Sequence, residues 1–302
     1  MNIQYVPYDE IDKTRWDRCL GNAANSLIYG YSFYLDHITR HWDALIGDDY
    51  DVVMPLTWNK KFGIHYLYQP AFAANLGLFG NTSDERLTGH FIESIPGKFK
   101  LVEISLNSKN TLRDCPFGVT RVNYFLPLQK DYEQLSHFYR ENHHRNIQKA
   151  SQAQCKLVTN VSVQEVISLN KAQIANKASI REDDYAKFSR LYEFLKKQNN
   201  ALCYGITDRE SRLLASAVFF VFGKRAYYIL AGNHPDGRSI GASHTLIDAF
   251  IRHHAGQDLI LDFEGSDIET LALFYSGFGA VRETYPAIRW NRLPWYLRWL
   301  KA

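Results

Sequence analysis

Apolar and polar positions change period several times along this chain, and those changes predict its elements. Three apolar, aromatic and β-branched runs, Leu202 to Thr207, Leu213 to Phe222 and Ala226 to Ala231, are separated by Asp208-Arg209-Glu210 and Gly223-Lys224-Arg225. Runs of that length with such short polar breaks predict an antiparallel meander. A helical period follows from His244 to Ala255, then a buried-strand pattern from Asp258 to Phe263. Gly265 to Glu269 opens a second helix, with Ser266 and Glu269 spaced as a capping box, and Val281 to Trp290 predicts a last strand. Upstream, Cys155 to Val161 reads as a strand, and Val163 to Ala175 and Asp183 to Asn199 as helices. The first part alternates strand patterns (Ile3 to Tyr8, Val52 to Trp58, Ile64 to Tyr68, Lys100 to Ile104, Thr120 to Leu126) with helical ones (Ile11 to Leu20, Phe33 to Trp42, Ser83 to Ile95).

With 302 residues, 46% of them hydrophobic, the chain exceeds the usual size of one core, so two domains are expected. The seam falls at Leu126 to Asp131, giving domains 1–130 and 131–302 of the same mixed α/β grammar. No repeat is visible at the level of residue identity.

The candidate chemistry begins where the third meander strand meets the helix. Gly232 and Asn233 end the strand, and Arg238-Ser239-Ile240-Gly241-Ala242-Ser243 runs into the helix. A helix start presents unpaired N–H groups and the positive end of the macrodipole, so a basic, glycine-containing loop there suits a phosphate or pyrophosphate. Turn geometry alone also accounts for Gly237 and Gly241.

The order strand, two helices, three-strand meander, loop, helix, strand, helix, strand resembles the GNAT superfamily of acyl-CoA N-acyltransferases. Their pyrophosphate loop has Gln or Arg, two residues, Gly, one residue, then Gly or Ala. Arg238, Gly241 and Ser243 take those places, Ser243 being a departure that would cap the helix in a phosphate's stead. Tyr275, Phe278 and Gly279 match the family's later Tyr motif, which implies that Tyr275 is the general acid; a packed core aromatic is the alternative. Fem-type tandem-GNAT transferases are more similar still. Asn142 to Ala150 resembles their "RRNIRKA" helix, Asp262 to Ser266 their "DFGGS" strand end, and Gln69 to Phe79 their "P-x-x-QQLG" segment, with Ala74 and Asn75 replacing the paired Gln. The resemblance implies two GNAT-like domains, each a mixed, mostly antiparallel sheet flanked by helices. It also implies acyl-CoA or acetyl-CoA as donor, with Gly232 and Asn233 lying beside the pantetheine arm.

Amide formation needs a neutral amine, hence a base. Glu264, at the end of a strand beside the point where this fold splays, is the candidate, ahead of Asp262. Arg145 and Lys149 lie four apart and share a helix face, fit for an anionic acceptor or simply a solvated surface. Four scattered cysteines without a CxxC pair argue against a disulfide framework, and no metal is expected. A net charge of +3 is too small for bulk nucleic-acid binding. No leader pattern or membrane-length apolar run is present, so the expected location is the cytoplasm. Residues 289–301 carry four basic residues and three tryptophans, which suits peripheral membrane contact, although packing on the domain body is favoured. The reading is an N-acyltransferase acting on a small-molecule or peptide-like amine. Its alternatives are a Fem-type enzyme using aminoacyl-tRNA and a cell-wall precursor, or a GNAT-fold binding protein without turnover.

Overall fold

The computed structural model describes residues 1–81, 84, 86–112, 117–174, 180–265 and 267–295. Contacts divide the chain into Met1–Arg121 with Thr284–Ala302, and Val122–Glu283.

The first unit carries β1 (Ile3–Val6), α1 (Lys13–Asn22), α2 (Ser32–Ile38), β2 (His41–Gly47), β3 (Val52–Lys61), β4 (Ile64–Tyr68), β5 (Phe79–Gly80), α3 (Leu87–Glu93) and β6 (Phe99–Ser105). Its sheet order is β1-β2-β3-β4-β6, then the Ala287–Asn291 stretch of the chain's last strand, with β5 paired to β3; among the described strands β4 and β6 are the parallel pair. The helical pattern read through Trp42 stops at Ile38, because Thr39 turns extended and its hydroxyl bonds the Leu35 carbonyl at 2.8 Å. The next element, β2, is buried along all but its first residue, so no alternation marks it in the sequence. The helix read from Ile11 starts at Lys13, since the Asp12 carboxylate caps the N–H groups of Thr14 and Arg15 at 3.0 Å. Ser83, where a helix was expected to start, lies outside the described residues; that helix is α3. Phe91, Phe99, Met54, Ile288 and Trp290 are among the core residues of this unit.

The second unit begins within β7 (Gly118–Pro127) and adds α4 (Tyr132–His137), α5 (Glu141–Gln152), β8 (Lys156–Val158), α6 (Val163–Ile174), α7 (Glu182–Lys196), β9 (Ala201–Thr207), β10 (Leu213–Phe222), β11 (Arg225–Asn233), α8 (Pro235–Ile240), α9 (Ala242–His254), β12 (Ile260–Asp262) and α10 (Glu269–Ser276). β13 (Val281–Asn291) closes the sequence of elements. The meander is as predicted, and the sheet order is β8-β9-β10-β11-β12, then the Phe125–Pro127 stretch of β7; among the described strands β11 and β12 are the parallel pair. Phe219 stacks on Phe250 of α9 at 4.0 Å inside a core that also holds Tyr204, Leu246 and Phe278.

Each unit is thus a mixed, mostly antiparallel sheet flanked by helices, and the two sheets repeat one pattern: three antiparallel steps, one parallel step, one antiparallel step. The sixth strand of each is out of place in the chain. The first unit takes its sixth from residues that follow the whole second unit, and the second takes its own from Phe125–Pro127 at its very start, ahead of all its other strands.

Candidate functional site

A parallel strand pair that separates leaves backbone and side chains facing a cleft. In the first unit the chain itself fills that place. Beyond Tyr68 the Gln69 side chain accepts the Ser105 N–H at 2.8 Å, Leu76 bonds backbone-to-backbone with Ser105 and Asn107, and Asn107 and Asn110 both donate to the Leu78 carbonyl. Residues Gln69 to Phe79, read as a family signature, are therefore the filling of a closed splay.

In the second unit, β11 and β12 part after Tyr227 and Asp262. Asp262 is buried and saturated: it accepts from Arg225 at 2.5 Å, Asn123 at 3.0 Å and the Glu264 N–H at 2.9 Å. That last bond holds Glu264 at φ 62°, a left-handed conformation rare for a residue with a side chain, and Gly265 follows at φ 89°. The chain swings out of β12 and leaves Glu264 half-buried at the mouth of the splay. Tyr275, on α10, is 7% exposed and stacks on Phe263 at 4.6 Å with an interplanar angle of 19°. Burial raises its hydroxyl above the ordinary value near 10, and the Glu264 carboxylate raises it further, so the two named side chains sit within electrostatic reach. Tyr124 of β7 and Tyr228 of β11 complete an aromatic basket, their rings 6.5 and 6.4 Å from that of Tyr275. Burial likewise raises the Tyr228 hydroxyl. The sequence does not single out Tyr228, whose orientation depends on a bulge between Val218 and Phe219.

The segment after β11, read as a loop, contains the short helix α8. Its last turn ends at Gly241, at φ 82°, which is also the N-cap of α9. No side chain caps α9; Ser243, expected to do so, donates instead to the Asn233 Oδ1. Both glycines admit protein neighbours. A Cβ at Gly241 would lie 2.3 Å from the Asn146 carbonyl oxygen of α5, and one at Gly237 would lie 2.4 Å from that of Leu214. Gly241 and Ala242 are buried or nearly so, Ile240 is half-buried, Ser239 is exposed with its hydroxyl on the Asp236 carbonyl, and Arg238 is exposed. Gly232 pairs with Ser216 of β10, and the Asn233 N–H donates to the Gln173 Oε1 of α6 at 2.7 Å.

The basic helix is α5, and Arg145 and Lys149 are both on its outer side. His143, by contrast, faces inward: its Nε2 bonds the Phe274 carbonyl at 2.8 Å, and its ring meets His244 of α9 edge-on at 4.7 Å. Gly277 makes room for that ring, a Cβ there lying 1.9 Å from it. Ser266 of the expected capping box lies outside the described residues, as do residues 296–301 of the tryptophan-rich stretch; Trp290 is core, and Trp295 is exposed. No helix among the described residues is long and apolar enough to cross a membrane.

No protein-family model and no curated protein matches the sequence. Solved structures do match by fold. FemX aligns over 100% of both chains at 12% identity and a TM-score of 0.64. A tandem GNAT protein from the clavulanic acid biosynthesis pathway aligns over 97% of this chain and 99% of that one at 10% identity and a TM-score of 0.51. The C-terminal domain of a putative lysylphosphatidylglycerol synthetase from Agrobacterium fabrum covers 94% of this chain and 92% of its own, at 12% identity and a TM-score of 0.51. The chain has the tandem GNAT, Fem-like fold.

Proposed function

We propose that the second unit is an amide-forming N-acyltransferase that moves an acyl group from an activated donor to an amine at the β11/β12 splay. The observation that carries this reading is that Glu264 leaves β12 where it parts from β11, directly after the Phe263 that stacks on the buried Tyr275. Glu264 takes the proton that an ammonium must lose before its nitrogen attacks the acyl carbon. Tyr275, held protonated by burial and by the neighbouring carboxylate, gives a proton to the departing atom. The aromatic walls exclude water, which would otherwise hydrolyse the donor.

The donor is argued from a different set of residues. For acyl-CoA or acetyl-CoA, Arg238 and the uncapped first turn of α9 are the residues to hold the pyrophosphate. The strand that would carry the pantetheine arm does not fit it as it stands, because the Asn233 N–H is already bonded and Gly241 lies against α5. A second reading, aminoacyl-tRNA as donor with a cell-wall precursor as acceptor, is favoured by the exposed Arg145 and Lys149. The protein works where such donors are made, in the cytoplasm. The test supplies acetyl-CoA or charged tRNA with a panel of amines and follows amide formation by mass spectrometry. Product that disappears in Glu264→Gln supports the proposal. Absence of product with every donor leaves a GNAT-fold binding protein, and full activity of Glu264→Gln takes the base role away from Glu264.

A further inference from the structure

Backbone groups of a strand face alternate sides. On β11, from Leu230 onward and past the register shift at Val218/Phe219, the even positions face β10: Gly232 pairs with Ser216, and beyond the strand the His234 N–H donates to the Leu214 carbonyl at 2.8 Å. Ala231 and Asn233 face the other way, where β12 has already ended opposite Tyr227. Two side chains of α6 take the place of a strand. Asn170 Nδ2 donates to the Ala231 carbonyl at 2.6 Å, and the Asn233 N–H donates to the Gln173 Oε1 at 2.7 Å. Both are secured from behind. Tyr185 of α7 donates to the Asn170 Oδ1 at 2.6 Å, and the Asn233 side chain donates to the same Gln173 oxygen at 3.3 Å while accepting from Ser243 at the start of α9. Gly232 permits this closeness, since a Cβ there would lie 2.5 Å from the Asn170 backbone nitrogen.

An extended, amide-bearing arm binds a strand edge through these same alternating carbonyl and N–H groups. We infer that Asn170 and Gln173 are specificity-determining residues: they hold the β11 edge against a pantetheine-type arm, so a donor that binds by adding to this strand has to displace them, and a donor that leaves the strand alone does not. The inference rests on the reading that the donor site lies at this splay.

Calorimetric titration of acetyl-CoA into the wild-type chain and into Gln173→Ala tests it. Alanine preserves the helix, and a melting curve shows that the variant is folded. Removing the side chain should tighten acetyl-CoA binding by roughly tenfold, the equivalent of one competing hydrogen bond. Asn170→Ala, which frees the Ala231 carbonyl, should act in the same direction. Hydrogen exchange reads the same event: the Asn233 amide should exchange slowly in the wild type, fast in free Gln173→Ala, and slowly again when acetyl-CoA is bound. Equal affinity of wild type and variants overturns the inference, and so does absence of binding in both, since something other than α6 would then exclude the arm. The readout is binding alone. A chain without transferase activity still answers it, and Glu264→Gln, which tests the transfer, should leave the comparison intact.

Discussion

Glu264 combines a chemical role with a conformational cost. A non-glycine residue held at φ 62° is strained by about 1 kcal/mol. Glu264→Gly should therefore keep or raise the melting temperature while abolishing transfer; a variant that melts markedly earlier would show that the carboxylate is a structural strut. Tyr275→Phe preserves the stack on Phe263. It should change stability by under about 0.5 kcal/mol and lower turnover by on the order of a hundredfold, measured as kcat at saturating substrate. Because burial and the Glu264 charge both raise the Tyr275 hydroxyl, its protonated form persists past pH 10, and kcat should show no alkaline fall below that point. A fall near pH 8 or 9 would assign the acid role elsewhere.

The α5, α9 and α10 helices meet around two imidazoles, His143 buried and His244 half-buried. Burial lowers both His143 and His244, the latter to about 4, so each is neutral in the folded chain at neutral pH. The unfolded state binds protons first, near 6.5; stability is therefore whole above that value and drains as pH falls from there toward 4. Denaturant midpoints measured from pH 7 to 4 should fall, and His244→Phe, which keeps a ring among Phe274 and Phe278, should flatten the slope. On the outer side of α5, Arg145→Ala with Lys149→Ala should raise the KM of an anionic acceptor and leave its kcat in place, and added salt should mimic it on the intact protein. A neutral acceptor shows neither effect. These elements differ in how far the sequence discloses them. The meander and α9 are legible because their apolar periods are clean. β2 is hidden since a strand buried along nearly its whole length loses its alternation, and α8 since Pro235, Gly237 and Gly241 read as loop residues. Glu264 and Tyr275 are visible by position and motif. The bonds from α6 to β11 are not, because nothing local in Asn170 or Gln173 says that they end on a strand about 60 residues later.

At the scale of the whole chain, the two units do not coincide with two consecutive stretches of sequence. β6 is paired by Ala287–Asn291 and β12 by Phe125–Pro127. A fragment ending at residue 130 therefore lacks the strand that covers β6, and one beginning at 131 lacks the strand that covers β12. Each alone should be insoluble or self-associating through its bare edge, and co-expression should restore a soluble pair, read by gel filtration. Two fragments that each fold as stable monomers would show that the traded strands are dispensable. The trade also governs timing during synthesis. Domains are ordinarily finished in the order in which they leave the ribosome, but here the first unit waits with β6 open until Ala287 has been made. At ordinary translation speeds that is roughly ten to forty seconds of exposure, long enough for a neighbouring nascent chain or a chaperone to reach the edge. A message truncated shortly before Ala287 would yield a protein whose fault lies in its earliest-made half.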